Sequence, residues 1–250
     1  MDASLSAAFG LGDREVVTIV GGGGKTTTLF RLGRELHQRD GGVVVTTTTH
    51  IMIPPPEPDL ETVLEVEAEL APAACRSALA RGHLPVLGTR FTPEGRLGGV
   101  APEVVDLCAA QTDLAYVVVE ADGSAHKPFK APLAHEPVVP RSTTLLLAVV
   151  GVDALGQPLD AEHIHRPQRV AELSGAALGA PVTAETIARV MVHPAGPLRD
   201  APVSARVIIL LNKADSDARR AAAAEIADAV RAHGGPPTLI GSVAAADPFC

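Results

Sequence analysis

The sequence predicts an α/β protein in which a mostly parallel sheet carries helices on both faces, and three observations predict it. Residues 15–48 show the pattern strand, glycine loop, helix, strand, which is a βαβ unit and implies parallel strands. Beyond residue 48, short aliphatic runs alternate with segments of helical periodicity. Of the 250 residues, 46% are hydrophobic, which is enough to fill the core of one large domain.

The first βαβ unit lies at the start of the predicted domain. Glu15–Val20 is a β-branched run that leads into a row of glycines, and Val43–Thr48 is a second buried strand. Between them, Lys25–Arg39 places leucines at helical spacing, so we expect a helix there. The pair Gly41-Gly42 is expected to end this helix, because glycine readily adopts the conformation found at helix C-termini.

Residues 54–100 are predicted to be an inserted or edge segment of a single domain that takes in the whole chain, 1–250. The stretch Pro54–Pro58 breaks the chain, because proline cannot donate a backbone hydrogen bond. After it, the residue pattern predicts a helix over Glu67–Arg81 and a hairpin over Leu84–Val100.

The second half of the chain continues the alternation. Aliphatic runs predict strands at Leu114–Glu120, Thr143–Val150, Arg206–Leu211 and Thr238–Val243. Helical spacing and N-cap residues predict helices at Pro102–Ala110, at Pro167–Leu173, after an N-cap at Thr183, and at Ser216–His233. Such an alternation favours one α/β domain over two.

Charge and composition exclude several classes of partner. The net charge is −8, whereas nucleic acids and membrane surfaces bind basic proteins, so we expect neither as a partner. No apolar run reaches the roughly 20 residues of a membrane span, and residues 1–12 lack the features of a secretory signal. Cys75, Cys108 and Cys250 are scattered and form no metal-binding spacing. We therefore expect a soluble, cytoplasmic protein.

The strongest motif is the glycine loop between the first strand and the first helix. It consists of Gly21, Gly22, Gly23 and Gly24, followed by Lys25, Thr26 and Thr27. Glycines let backbone N–H groups converge on an anion, and the helix N-terminus adds a partial positive charge. The lysine of such a loop reaches the β- and γ-phosphates, and its first threonine binds Mg²⁺. We therefore expect a P-loop NTPase-like fold that holds a nucleotide here.

The loop is shorter than the usual signature, which has a glycine six residues before the lysine. Ile19 stands at that position in this chain. Mur-type peptide ligases also use a short loop that ends in Gly-Lys-Thr. The loop alone therefore does not name the reaction.

An acidic sequence stands at the end of the strand predicted over Leu114–Glu120, where Glu120, Ala121, Asp122 and Gly123 stand in succession. In open α/β sheets, ligands bind at the carboxyl ends of the strands. A carboxylate at such a position binds Mg²⁺ directly or through water. Glu120 and Asp122 are both candidates for the metal ligand and for a catalytic role, and the sequence leaves the choice between them open.

A base-reading motif follows the strand Arg206–Leu211. It consists of Asn212, Lys213, Ala214 and Asp215. In GTPases an Asn-Lys-x-Asp sequence at a strand end reads guanine: the aspartate accepts hydrogen bonds from the ring N1–H and the exocyclic amine. The lysine stem lies along the base, and the asparagine ties its loop to the phosphate loop. Adenine offers neither donor, so the motif predicts GTP rather than ATP.

Two further cations follow the acidic strand end. The chain has only four lysines, and two of them, Lys127 and Lys130, lie in this segment. Lysine is a compact point charge that binds phosphate and carboxylate groups. Both are candidates to bind an anionic substrate or the γ-phosphate, although solvated surface lysines are an equal alternative.

With these motifs in place, the whole chain is similar to the YqeC family, whose members are described as accessory proteins of selenium-dependent molybdenum hydroxylases. The resemblance is carried by Val20–Thr27, Val45–His50, Gly95–Asp106, Glu120–Pro132, His165–Gly175 and Leu211–Asp215. It implies a role in maturing a molybdenum cofactor, with a molybdenum hydroxylase or its cofactor-maturation proteins as partners. A more distant likeness is to the GTPases that help insert nickel into hydrogenase and urease.

Three hypotheses for the function follow. The leading one is Mg²⁺-dependent binding and hydrolysis of a nucleoside triphosphate, GTP in preference to ATP, with Lys25 stabilising the transition state. The second is an ATP-dependent ligase or kinase that acts on a small anionic substrate, which the short loop and the two lysines at 127 and 130 favour. The third is a module that senses a nucleotide without hydrolysing it.

Overall fold

A computed structural model of the chain describes residues 4–40, 42–53 and 57–249 and confirms the predicted α/β fold class. Three sequence predictions involve residues outside these ranges: the helix stop at Gly41, the chain break at Pro54–Pro56, and the cysteine at position 250. No helix in the part of the chain that the structure describes has the length and apolar character needed to cross a bilayer.

The described residues form ten strands. They are β1 (Glu15–Gly21), β2 (Val43–Thr47), β3 (His50–Met52), β4 (Leu60–Leu64), β5 (Leu84–Gly88), β6 (Arg96–Gly98), β7 (Tyr116–Glu120), β8 (Leu145–Gly151), β9 (Arg206–Asn212) and β10 (Thr238–Ile240). Eight of them form one sheet in the order β10-β9-β8-β1-β7-β2-β5-β4, and every pairing in it is parallel. β3 and β6 form a separate antiparallel pair.

Helices cover both faces of the main sheet. They are α1 (Leu5–Ala8), α2 (Lys25–Asp40), α3 (Ala71–Ala80), α4 (Pro102–Ala109), α5 (Pro167–Ser174), α6 (Ala184–Val192) and α7 (Asp217–Ala232). Successive residues of a strand point to opposite faces of the sheet, so the apolar side chains of β1 contact the helices on both faces. Val17 and Ile19 pack with the leucines of α1 and α2, whereas Val16 packs with α3 and α4 on the other face.

Local signals account for the strand and helix boundaries near the site. β7 and β8 are buried along their whole length, as expected for parallel strands covered on both faces. Thr183 caps α6 as predicted, since its hydroxyl accepts a hydrogen bond from the Thr186 N–H at 3.1 Å. Ser216 caps α7 in the same way through the Arg219 N–H.

The hairpin predicted over Leu84–Val100, with its turn at residues 93–95, is confirmed only near that turn, where Phe91 and Leu97 form an antiparallel bridge and the Gly98 N–H donates to the carbonyl oxygen of Arg90. The strands on either side of it pair elsewhere. Its first arm is β5, which pairs in parallel with β2 and β4 inside the main sheet. Its second arm is β6, which pairs with β3 instead. The prediction considered only neighbours in sequence. β5, however, is a fully buried aliphatic strand, and both of its faces must be covered. The helix predicted from Glu67 begins later, at Ala71.

The order of the strands sets the position of the site. β1 lies at the centre, between β7 and β8, and the register pairs Ile19 of β1 with Glu120 of β7. Because all these strands are parallel, the segments after β1, β7, β8 and β9 meet at one edge of the sheet. All three motifs found in the sequence follow one of these strands.

Candidate functional site

The glycine loop of residues 21–24, called the phosphate loop below after its predicted role, connects β1 to α2, and its glycines are required by both conformation and space. Gly23 and Gly24 have φ angles of +80° and +128°, which side chains other than glycine rarely adopt. A Cβ atom on Gly23 would lie 2.1 Å from the backbone nitrogen of Gly151, and one on Gly24 would lie 2.2 Å from Nδ2 of Asn212. The loop is therefore packed against the segments that follow β8 and β9.

The backbone N–H groups of the loop fall into two sets. Those of Gly22 and Gly23 donate to the carbonyl oxygens of Val149 and Lys127, at 2.9 and 3.0 Å. Those of residues 24–27, at the N-terminus of α2, donate to no acceptor within the described ranges. These four groups carry the positive end of the helix dipole, and groups of this kind bind anions.

A cavity of about 220 Å³ opens onto this helix N-terminus. It is lined by Gly23, Gly24, Lys25, Thr26, Thr27, Ser124, His126, Lys127 and Lys213. We call it the loop cavity. Its lining combines donor groups with cations, so it can accept a strongly anionic ligand.

Lys25 is buried at the bottom of the site. Its Nζ donates to the carbonyl oxygen of Gly21 at 2.8 Å and lies 3.3 Å from a carboxylate oxygen of Asp122 and 3.4 Å from one of Glu120. Burial on its own lowers the pKa of Lys25, but the two carboxylates outweigh it and raise that pKa above its ordinary value. The side chain is therefore a cation held beside the phosphate loop.

The side-chain oxygens of Thr26 and Glu120 lie together beside the loop. The Thr26 hydroxyl donates to Oε2 of Glu120 at 2.8 Å. Burial raises the pKa of Glu120, and Lys25 and the Thr26 hydroxyl offset part of that effect. Mg²⁺ in triphosphate sites binds one or two protein oxygens together with phosphate oxygens and water. The Thr26–Glu120 pair fits that requirement.

Asp122 lies behind the loop rather than in the cleft. Its carboxylate is fully buried and accepts the N–H of Gly21 with both oxygens, each at 3.1 Å. It also pairs with Lys25 and, at 2.9 Å, with Lys130. The sequence left Glu120 and Asp122 as equal candidates for the metal, and this geometry favours Glu120, because the oxygens of Asp122 already hold the loop.

Lys130 and Lys127 have different surroundings. Lys130 is buried, and its Nζ donates to the carbonyl oxygen of Gly123 and to Glu136, both at 2.7 Å. Its ammonium group is thus directed into the interior and not toward a ligand in the cleft. Lys127 lines the loop cavity, and its Nζ donates to the carbonyl oxygen of Glu162.

Sequence reasoning missed the partners that complete this buried network. Glu136 accepts from Lys130 and from both terminal nitrogens of Arg166. Burial opposes ionisation of Glu136, but the bonds from Arg166 and Lys130 prevail and lower its pKa to about 2. Arg166 lies in the stretch His165–Gly175 that carries the family resemblance, but no chemical motif assigns a role to it or to Glu136.

The segment after β9 is joined to the phosphate loop, as the sequence predicted. Nδ2 of Asn212 donates to the carbonyl oxygen of Gly23 at 2.8 Å, and its Oδ1 accepts from the N–H of Val243 at 2.9 Å. One buried side chain therefore connects the phosphate loop with the segments after β9 and β10. A third tie comes from Arg31 of α2, which donates to the carbonyl oxygens of Val243 and Ala245.

Of the remaining residues of that motif, Lys213 lines the loop cavity and Asp215 does not. Lys213 has a left-handed backbone, with φ of +68°, and its Nζ donates to Asp153 at 2.7 Å. The carboxylate of Asp215 is half-exposed and pairs with Arg219 one helical turn further on, at 2.8 Å. Asp215 is thus accessible to a ligand, and its present partner is an exposed, exchangeable one.

Comparison with known proteins agrees with the resemblance seen in the motifs. The family model described as YqeC protein matches residues 17–168, more than half of the chain. The chain is also 27% identical over 218 residues to the "Uncharacterized protein YqeC" of Escherichia coli (strain K12), an alignment that covers 87% of this chain and 83% of that protein. The family match includes the phosphate loop and the acidic strand end but not Asn212–Asp215.

Proposed function

The chain belongs to the YqeC family, and we propose that it binds and hydrolyses a nucleoside triphosphate, GTP in preference to ATP, with Mg²⁺. The observation that carries the proposal is the loop cavity itself. Lys25 and Thr26 line it, beside four N–H groups at the start of α2 that have no acceptor among the described residues, and the Thr26 hydroxyl joins it to Glu120. This combination suits a polyphosphate with a bound cation.

In the proposed complex, the phosphates lie against residues 21–27 and accept hydrogen bonds from the N–H groups at the start of α2. Lys25 exchanges its contacts with Asp122 and Glu120 for contacts with the β- and γ-phosphates. The exchange replaces one set of anionic oxygens by another, so the buried cation never lacks a counter-charge. As negative charge moves in the transition state, Lys25 stabilises it.

Thr26 and Glu120 are the proposed metal ligands. Bound Mg²⁺ would neutralise phosphate charge and so favour transfer of the terminal phosphoryl group to water. Asp122 acts on the same site from behind, since it fixes the N–H of Gly21 and balances the charges of Lys25 and Lys130. We assign it to the support of the loop.

Guanine is the proposed base. Asp215 would accept hydrogen bonds from the guanine N1–H and 2-amino groups, and Lys213 would lie along the ring. Adenine carries neither donor and would leave the carboxylate unpaired, which is costly. The hydrogen bond from Asn212 to Gly23 supports this assignment, because it holds the motif Asn212–Asp215 at a defined distance from the phosphate loop.

A ligase or kinase reaction on a small anionic substrate is the second candidate. One observation favours it: a small cavity that Glu120 helps to line also contains Arg96, His50 and His126. The carboxylate at position 215 argues against ATP as its nucleotide. GTP would be compatible with both candidates.

A turnover screen tests the proposal. Purified protein is incubated with GTP, ATP or CTP, with and without Mg²⁺, and nucleotide binding and phosphate release are measured. We expect Mg²⁺-dependent binding and release of phosphate with GTP above all, and loss of both in Lys25→Ala. Release that appears only when an acceptor is added supports the second candidate. Binding of no triphosphate to the folded wild-type protein would refute the proposal.

The cellular role is proposed from the family resemblance alone. We propose that nucleotide hydrolysis by this protein assists maturation of the molybdenum cofactor of selenium-dependent hydroxylases. In a host that makes such a hydroxylase, deletion of the gene is expected to lower hydroxylase activity. The wild-type gene should restore it, and Lys25→Ala should not. If the wild-type gene and Lys25→Ala restored hydroxylase activity equally, the role in cofactor maturation would not depend on nucleotide hydrolysis.

A further inference from the structure

A second cavity lies beside the loop cavity and is lined in part by Glu120. Its volume is about 60 Å³, which is large enough for a single carboxylate or phosphate group. It is lined by Thr26, His50, Ile51, Met52, Arg96, Glu120, Gly123, Ser124, Ala125 and His126. We call it the cationic cavity. It shares Thr26, Ser124 and His126 with the loop cavity, so the two are contiguous.

The pair β3–β6 directs two potentially cationic side chains into this cavity. The antiparallel register pairs Met52 with Arg96 and His50 with Gly98, so His50 and Arg96 lie on the same face of the pair. The opposite face carries Ile51 and Leu97, which are buried in the core. Packing of that apolar face therefore fixes which way His50 and Arg96 point.

A strained segment supplies the third such side chain. Ala125 and His126 have φ angles of +48° and +60°, two consecutive left-handed residues, neither of which is glycine. This conformation costs free energy, and residues that adopt it cluster at functional sites. Here it brings His126 to the junction of the two cavities. Within the described ranges, the side chains of His50, Arg96 and His126 form no hydrogen bond or ion pair, although Glu94 lies near enough to interact electrostatically with His50 and Arg96.

Unpaired donors around a cavity of this size suit an oxyanion. Arginine remains charged and presents two parallel N–H groups, and an imidazole adds a further donor. Glu120 is the opposing charge in the same cavity. Binding of Mg²⁺ to Glu120 would neutralise it, so the cavity becomes more favourable for an anion once the metal site is filled.

We propose that the cationic cavity binds the carboxylate or phosphate group of a second, anionic substrate, held by Arg96, His50 and His126 next to the terminal phosphate of the nucleotide. The inference rests on the nucleotide site proposed above. The sequence suggested Lys127 and Lys130 as the residues that bind an anionic substrate. The present proposal assigns that role to Arg96, His50 and His126 instead.

The test uses inorganic phosphate and succinate as probes. The protein is saturated with Mg²⁺ and a non-hydrolysable GTP analogue, and each probe is titrated by calorimetry or by NMR of the protein. We expect at least one probe to bind, and Arg96→Gln to weaken it by about tenfold, the effect of removing one charge-assisted hydrogen bond. Arg90→Gln is the matched control, since Arg90 is an exposed arginine of the same segment outside the cavity.

The outcomes separate the two proposals. Failure of both probes to bind to the analogue-loaded wild type, or equal weakening by Arg90→Gln, would overturn the second-substrate site. A different result would assign the cationic cavity to the γ-phosphate of the nucleotide: neither probe binds, and Arg96→Gln lowers the affinity for the analogue but not for GDP. If the analogue itself does not bind, the nucleotide site is refuted. Titration of phosphate into the nucleotide-free protein then tests the anion site in the cationic cavity by itself. Phosphate binding that Arg96→Gln abolishes would support this site, and absence of phosphate binding would refute it.

Discussion

Replacement of Asp122 by asparagine should destabilise the protein far more than the matching change at Glu120. The carboxylate of Asp122 is fully buried, accepts two contacts from the Gly21 N–H and pairs with the buried ammonium groups of Lys25 and Lys130. An amide of the same shape removes the charge and turns one acceptor into a donor that faces these donors. Glu120 differs, because burial raises its pKa and makes its ionised form costly.

The magnitude follows from the partners that remain. Loss of one partner of a buried ion pair costs about 3–5 kcal/mol. Lys25 keeps Glu120 and Lys130 keeps Glu136, so we expect the lower end, about 3 kcal/mol of unfolding free energy, for Asp122→Asn. For Glu120→Gln we expect a change within about 1 kcal/mol, because Lys25 keeps Asp122 and a costly charge is removed.

Urea denaturation followed by circular dichroism, without nucleotide, measures these differences. Asp228→Asn is the control, since Asp228 is an exposed aspartate paired with Arg231 and should change stability by about 0.5 kcal/mol or less. A second measurement, the Mg²⁺ concentration for half-maximal GTP hydrolysis, should rise in Glu120→Gln. A stable Asp122→Asn protein with a raised Mg²⁺ requirement, beside an unaffected Glu120→Gln protein, would show that the two roles are assigned the wrong way round.

Three further predictions follow from the same geometry. Gly23→Ala should abolish nucleotide binding and lower the unfolding free energy by about 3 kcal/mol or more, because the added Cβ would lie 2.1 Å from the backbone of Gly151. Gly156→Ala is the control: Gly156 has a φ of +82°, and its added Cβ would have no atom within 4 Å. It should lower the unfolding free energy, measured by urea denaturation, by only about 1–2 kcal/mol. Asn212→Ala should weaken GTP about tenfold in a binding titration, because it frees both the Gly23 carbonyl and the Val243 N–H; unchanged affinity would refute this link. Glu136 has a folded-state pKa of about 2 against an ordinary 4.5, so the stability it contributes is complete above pH 4.5 and is lost as the pH falls toward 2. The stability difference between wild type and Glu136→Gln, measured by urea denaturation, should therefore shrink across that range, and a constant difference would contradict it.

The parts of the fold that were predicted correctly are those with strong local signals. β1, α2 and α6 were recognised from an aliphatic run, from leucine spacing and from an N-cap residue. β4 was missed because its sequence, Leu-Glu-Thr-Val-Leu, is that of a half-exposed edge strand. The pairing of β3 with β6 joins residues far apart in sequence, and no periodicity within either strand reports it.

The candidate site divides in the same way. The phosphate loop, Thr26, Glu120 and the tie from Asn212 follow from motifs whose residues serve a known chemical purpose at a fixed spacing. The support of Asp122 by Lys130 and Glu136 depends on tertiary contacts among buried charges, and such contacts leave no pattern in the sequence. For the same reason Arg96 was not singled out, because it reaches the site only through its pairing with Met52.

The most direct test of the central claim is competition among GTP, ATP and xanthosine triphosphate for the wild-type protein and for Asp215→Asn, in Mg²⁺. The wild type should bind GTP in preference to ATP. Asp215→Asn should instead prefer xanthosine triphosphate, whose carbonyl faces the introduced amide nitrogen, by at least about tenfold, since buried hydrogen-bond sites discriminate by up to ~10⁴-fold and this edge is partly exposed. Asp217→Asn, an exposed neighbour, should behave as wild type. A wild type that binds no triphosphate would contradict the nucleotide site itself. One that binds ATP as well as GTP, with a mutant indifferent to xanthosine triphosphate, would reduce Asp215 to a surface partner of Arg219.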